Sequence, residues 1–326
     1  MALQPRDILM GIAVPLIWGL GVVFAKAAIE HFPPVLLMAF RFTLTALVLV
    51  WFVKPPWHLM RRIFWIALVS AAIQYSLTFN GLRGVDASTA VLVIQLEVPF
   101  IVLLGALFLK EKPGWRRWIG IAIAFTGVAF IAGEPRLGGA WGSLVLLAGG
   151  AFSWAVGQIM VRSLGEVGGM TLIAWVAVFA APQLFAFSLA LEDNHLAYIR
   201  SANWVVWGTV LYLGLIMTAL GYSFWYSLVG RHPVSRVGPF LLLLPVFTVL
   251  GGVTLLGERL TLQAALGGIV VIAGVAFIFF SRTPAPVPQA AGADPNRRGP
   301  PAAAAGANPN RRDPPAAADE TPRDED

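Results

Sequence analysis

The 326-residue chain contains no cysteine, which excludes disulfides, thiolate metal sites and cysteine nucleophiles. Charge is scarce: Asp, Glu, Lys and Arg make up 12% of the residues, against roughly 25% in an average soluble domain. The four histidines, His31, His58, His195 and His232, fall in connectors and show no ligand spacing, so no metal site is expected. There is no GxxxxGKS/T phosphate loop, no HExxH and no GxSxG, so ATP-driven pumping and the common hydrolytic chemistries lack their required groups. No cofactor is expected.

What is abundant is apolar surface, with 58% of residues hydrophobic. Residues 282–326 hold 13 of the 40 charged side chains, six Arg and seven Asp or Glu, which leaves 27 in the preceding 281 residues. That body reads as a membrane protein. It has 17 basic and 10 acidic residues, and the basic excess is spread over short connectors, where it signals membrane orientation and not affinity for nucleic acid. The tail from 282 is rich in Pro, Ala, Arg and Asp, and Pro295-Asn296-Arg297-Arg298 returns as Pro309-Asn310-Arg311-Arg312. Such composition cannot bury a core, so a disordered cytoplasmic extension is expected.

Ten apolar runs cover 8–28, 34–53, 63–79, 87–108, 115–132, 142–161, 170–191, 204–226, 234–256 and 262–280. Each is long enough, at about 1.5 Å per helical residue, to cross a hydrocarbon layer of about 30 Å. None alternates like a barrel strand, so the expected fold is an all-α membrane protein of ten transmembrane helices. With the amino terminus inside, eleven Lys or Arg lie on the inner connectors and five on the outer ones, which places both termini in the cytoplasm.

The chain also repeats itself. A shift of 147 residues brings Tyr75-Ser76 onto Tyr222-Ser223, Ser88 onto Ser235, Glu111 onto Glu258, and 127–131 onto the identical 274–278. Further upstream a shift of 136 places Trp18, Gly21 and Lys26 on Trp154, Gly157 and Arg162, so the second half carries an insertion around 192–201. Two five-helix halves, 1–134 and 135–281, follow, with 282–326 as tail. Five is odd, so the second half enters the membrane inverted, an arrangement that secondary transporters use to alternate access to a midplane site.

These features resemble the EamA-type transporters of the drug/metabolite transporter superfamily. The resemblance rests on ten helices in two halves, the Trp-Gly pattern of the first and sixth helices, Arg41, and Leu109-Lys110-Glu111-Lys112-Pro113 after the fourth. Within that superfamily the chain is most similar to bacterial exporters of aromatic amino acids. The resemblance implies an inner-membrane secondary transporter exporting amino acids, aromatic and others, with no enzymatic activity. It also implies a central cavity lined mainly by the third, fourth, eighth and ninth helices, with the first, second, sixth and seventh as gates. Expected partners are a small-molecule substrate and membrane lipid, with the chain a monomer or weak homodimer. Two alternatives are an exporter of hydrophobic cations and, from another class, a membrane-embedded lipid-modifying enzyme.

Glu97 lies deep in the fourth run, where a carboxylate costs about 2.5–3.5 kcal/mol to insert. It either faces a watery cavity, binding a substrate ammonium or carrying a proton, or is a protonated or hydrogen-bonded carboxyl that fixes packing. Arg41 is expected in a structural or gating role, because the resemblance places an arginine there across transporters of unlike substrates. Snorkelling, a substrate carboxylate and Glu97 are its other candidate destinations. Pro99, Pro239 and Pro245 interrupt the fourth and ninth helices, and broken helices in corresponding halves point to a binding site or to plain kinks. Gln74, Tyr75, Asn80, Gln95, Tyr222, Trp225 and Tyr226 offer hydrogen bonds and aromatic faces to a substrate, interhelical packing being the alternative. Trp18 and Trp154, with Gln158 one turn on, hold equivalent gate-helix positions. Glu111 and Glu258 are expected to pair with basic residues near helix ends. Gly120, Gly127, Gly267 and Gly274 allow close packing or form a dimer surface.

Overall fold

A computed structural model describes residues 4–165, 167–232 and 234–281; the expected disordered tail lies outside them. Every element among the described residues is helical, and ten helices are long and apolar enough to span a bilayer. They are α1 (Pro5–Ile29), α2 (Pro34–Phe52), α3 (Trp57–Arg83), α4 (Ala87–Phe108), α5 (Trp115–Ala132), α6 (Trp141–Arg162), α7 (Gly169–Leu191), α8 (Trp204–Arg231), α9 (Gly238–Leu256) and α10 (Leu262–Phe280). The chain is a multi-pass membrane protein. Helices α3 and α8 outrun the expected apolar cores, because Arg61, Arg62 and Arg231 extend them as exposed, polar ends. The insertion between α7 and α8 folds as a short helix, His195–Ser201, entered through Asn194 at φ 58°.

Close backbone approach explains the glycines of α5 and α10. A Cβ added at Gly120 would sit 2.8 Å from the Gly274 carbonyl, and one at Gly274 would sit 2.6 Å from the Ala124 nitrogen. This face is taken up inside the chain by the α5–α10 crossing, so the dimer-surface alternative for these glycines does not hold.

Four helices depart from regular geometry. Residues Leu68–Ile73 of α3 and Tyr212–Leu220 of α8 are π-helical. The sequence shift of 147 places 68–73 on 215–220, inside the second π segment. Helix α4 breaks at Gln95-Leu96, four residues before Pro99. Proline has no N–H for the carbonyl four residues back, and here the Gln95 carbonyl accepts from Val98 N–H at 3.2 Å instead. Helix α9 opens with a 3-10 stretch, Gly238–Leu242, that carries Pro239 in its first turn and ends ahead of Pro245.

One end of the bundle is laced by polar ties. Glu258, after α9, accepts from the Ala87 and Ser88 backbone N–H groups at 2.6 and 3.0 Å and from Ser88 Oγ at 2.5 Å, capping α4. Glu192, after α7, caps α2 in the same way through Val35 and Leu36 N–H at 2.8 and 3.0 Å. Lys26 Nζ donates to the Leu82 and Arg83 carbonyls at the end of α3. Each charge faces the helix terminus of opposite partial charge. The expectation of a charge pair for Glu258 is therefore corrected: free N–H groups at the start of α4 take the carboxylate. Glu111, at the other end, does pair with a base, Arg162 Nη1 at 2.9 Å. At that end Asp7 also holds Arg231 and His232 at 2.7 and 2.8 Å, fastening α1 to α8.

Candidate functional site

The irregular helices surround a cavity of about 550 Å³ in the bundle interior. Trp18, Arg41, Gln74, Tyr75, Gln95, Glu97, Trp154 and Tyr222, all expected site residues, line it together. A second lobe of about 340 Å³ shares Trp18, Arg41, Tyr75, Trp154 and Tyr222 and adds Gln158, Trp225 and Tyr226. At one end the main cavity reaches Glu111, Arg117 and Arg162, with the Glu111 and Arg162 side chains 41% and 53% exposed. At the other it stops at Leu82 and Val91, beneath the ties made by Lys26 and Glu258. The lining thus runs from exposed side chains at one face of the bundle to buried ones short of the other.

Glu97 is presented by the break in α4. It is the first residue after the two-residue turn, partly exposed to the cavity, and among the described residues no hydrogen bond or ion pair holds its carboxylate. The hydrogen-bonded form of the packing alternative required such a partner; the protonated form did not. The break also turns Gln95 toward the cavity wall. Gln74 Nε2 donates to Thr78 Oγ1 at 3.1 Å on the same helix, and its Oε1 is buried without a partner.

Aromatic rings frame both lobes. Trp18 lies 4.9 Å from Tyr222 and 6.2 Å from Trp225, centroid to centroid, and Tyr222 stacks on Tyr226 at 6.0 Å. Tyr75 meets Phe42 edge-on at 5.1 Å and stacks with Phe79 at 5.6 Å. Trp18 Nε1 donates to the Met217 carbonyl, in the π segment of α8, at 3.2 Å. Its repeat counterpart Trp154 lines both lobes without a hydrogen bond or ring partner among the described residues.

Not every expected residue converges. Asn80 turns its amide to the Ser76 carbonyl of its own helix at 2.8 Å and does not line the cavity, since it falls on another face of α3. Pro99 is buried, and with Pro239 and Pro245 it shapes the backbone without touching the cavity. The walls also extend beyond α3, α4, α8 and α9, because Trp18, Arg41 and Trp154 bring in α1, α2 and α6, and Phe279 brings in α10. Apolar Phe279 and Met217 carried no sequence signal that separates a cavity wall from packing.

Ten spanning helices enclosing a cavity with amide, carboxylate, guanidinium and aromatic groups define a membrane-embedded solute transporter. The chain belongs to the EamA-like transporter family, whose model matches residues 6–133 and again 141–280. A "Probable amino-acid metabolite efflux pump" of Salmonella typhimurium is 31% identical over 280 residues, 83% of this chain and 93% of that one. Its Escherichia coli namesake is 31% identical over 281 residues with the same shares covered. A "Probable terminal-alkyne amino-acid exporter" of Streptantibioticus cattleyicolor is 32% identical over 212 residues, 63% of this chain and 68% of that one. Among solved structures, one crystal structure matches with a TM-score of 0.59 and 18% identity over 85% of this chain and 98% of its own, a likeness of fold alone. The protein is a transporter of small molecules and not an enzyme.

Proposed function

We propose that this chain is a secondary transporter of the bacterial inner membrane that exports amino acids, aromatic ones among them, by alternating access. The observation that carries the reading is the blind cavity itself: polar, aromatic-framed, entered from one face and closed at the other by Lys26 and the Glu258 cap. A carrier caught between cycles has this form, whereas a pore would be continuous. The relatives' names supply the solute class, and the substrate contacts are Glu97, Gln95, Gln74, Tyr75, Tyr222, Trp225 and Tyr226.

Two inverted five-helix halves, 1–134 and 135–281, form the moving parts. Paired contacts support them. A Cβ on Gly21 would strike Met217 Sδ at 2.6 Å, and one on Gly157 would strike the Ser70 side chain. Gly157 lies 136 residues after Gly21, and Ser70 lies 147 before Met217, so the same contact is built twice with the halves exchanged. Both termini lie in the cytoplasm, so the open face, with Arg117 and Arg162, is the cytoplasmic one, as loading for export requires.

Uptake into liposomes containing only this protein, with a panel of labelled amino acids and an imposed proton gradient, tests the reading. Saturable, counter-transportable flux of amino acids is the expected result. Strong efflux of a quaternary-ammonium dye without amino acid flux would replace the substrate, and unsaturable flux would replace the mechanism.

A further inference from the structure

Arg41 is 1% exposed, yet it lines both lobes of the cavity. Its guanidinium lies 4.8 Å from the Tyr75 ring centroid and 5.2 Å from that of Phe42. Nη2 donates to Thr218 Oγ1 at 3.3 Å, and Nη1 has only a distant sulfur, Met38 Sδ at 3.8 Å. Nε is buried with no partner. Among the described residues no carboxylate pairs with Arg41, Glu97 included, although both line the same cavity.

An arginine keeps its charge, and a buried charge without a counter-ion is strongly unfavourable. Ring faces and one hydroxyl offset part of that. They leave unused a planar fork of N–H donors whose geometry matches a carboxylate. A purely structural arginine would be satisfied by the protein; this one is satisfied on its ring faces and left open at its edge. The cavity therefore offers two groups without protein partners, the Arg41 guanidinium and the Glu97 carboxyl.

We propose that Arg41 anchors the substrate carboxylate, so that the transporter selects solutes bearing a free carboxylate and rejects the corresponding amides and amines. This rests on the reading of the cavity as the transport site and adds to it the group that defines the substrate class. The gating role expected of Arg41 becomes a consequence: an anion that neutralises the guanidinium releases the cost of burying it alone.

The test needs no mutation to begin. Purified protein is titrated with phenylalanine, phenylalaninamide, phenethylamine and 3-phenylpropionate, following thermal stabilisation and flux in liposomes. Losing charge-assisted hydrogen bonds to the fork weakens binding by about 10- to 100-fold, so the two carboxylates are expected to outbind the amide and the amine by that factor. Arg41→Gln is expected to bring the ratio near one while sparing phenethylamine, and Arg41→Lys to restore part of it. Equal binding of phenylalanine and its amide by the wild-type protein would overturn the anchor and leave the exporter intact. Stabilisation by 3-phenylpropionate with no flux of any amino acid would do the reverse. Silence from all four compounds would overturn both.

Discussion

Replacing Glu258 by Gln removes a charge and one of two acceptor oxygens while preserving the side chain's size. In the wild-type protein the carboxylate accepts three hydrogen bonds from α4, at 2.6, 3.0 and 2.5 Å. A hydrogen bond to a charged group contributes about 1.5–3 kcal/mol, a neutral one about 0.5–1.5, and a charge at a helix N-terminus a further 0.3–1. Glutamine keeps one carbonyl oxygen but turns its NH2 toward backbone donors, so the loss is about 2–4 kcal/mol. If the tie exists only while this face is shut, as the proposed cycle requires, that loss shifts the equilibrium toward opening by roughly 30- to 1,000-fold. The native chain has no cysteine, so Val91→Cys, at the blind end of the cavity, provides a single reporter. Its labelling by a membrane-impermeant maleimide added from the Glu258 side is expected to be slow, and at least about tenfold faster with Glu258→Gln, given that shift. Unchanged labelling together with a lowered melting temperature would refute the reasoning, because the cap would then be a static fastening and not a gate.

Glu97→Gln is expected to fold normally and to raise the KM for amino acids by about 10- to 100-fold, the weight of one charge-assisted contact to an ammonium; wild-type flux at every pH tested would return Glu97 to packing. Pro99→Ala restores the missing N–H to the Gln95 carbonyl, so α4 should straighten, its amides near Gln95 should exchange more slowly, and the transport cycle should slow. Gly274→Val forces side-chain atoms against the Ala124 backbone, which a Cβ alone would approach to 2.6 Å. Such overpacking typically costs about 1–3 kcal/mol, read as a lowered melting temperature, and an unaltered one would show that α5 and α10 have slack.

The fold was legible because lipid leaves so few choices. Hydropathy, length and the absence of alternation name ten helices, and their connectors then follow. The prolines of α4 and α9 were equally legible, since a missing N–H is written in the sequence. The π segments were not: nothing in Leu68–Ile73 or Tyr212–Leu220 distinguishes five-residue from four-residue pairing, and only their equivalence under the repeat ties them together. The helix caps show the same limit. Glu258 reads as an acid near basic neighbours, but a backbone N–H carries no letter, so its partners at Ala87 and Ser88, like those of Glu192 at Val35 and Leu36, emerge only in three dimensions. Asn80 leaves the cavity wall for a simpler reason. Residues Gln74 and Asn80 lie six apart on one regular stretch, Gln74–Arg83, and six steps of about 100° put the two amides on different faces of the helix.

The irregular helices and the cavity have one physical cause. Backbone groups freed from a helix at membrane depth survive only beside water or a protein donor. Here the carbonyls of the irregular stretches are met individually: Met217 by Trp18 Nε1, Gly214 by Thr45 Oγ1, Leu213 by Thr218 Oγ1 and Val69 by Ser153 Oγ. Most of these donors belong to α1, α2 and α6, regular helices that pack against the irregular ones. The hydroxyl of Thr218 serves twice, donating to Leu213 while accepting from Arg41, so the π segment of α8 and the buried guanidinium are fastened through one oxygen. Contacts thereby run from Arg41 to the backbone of α8, and through Met217 to Trp18 and α1. On the proposed cycle, that chain of contacts would let a cavity lined by broken helices couple what it holds to the position of its walls, whereas the same polar groups on ten regular helices would only make a binding pocket.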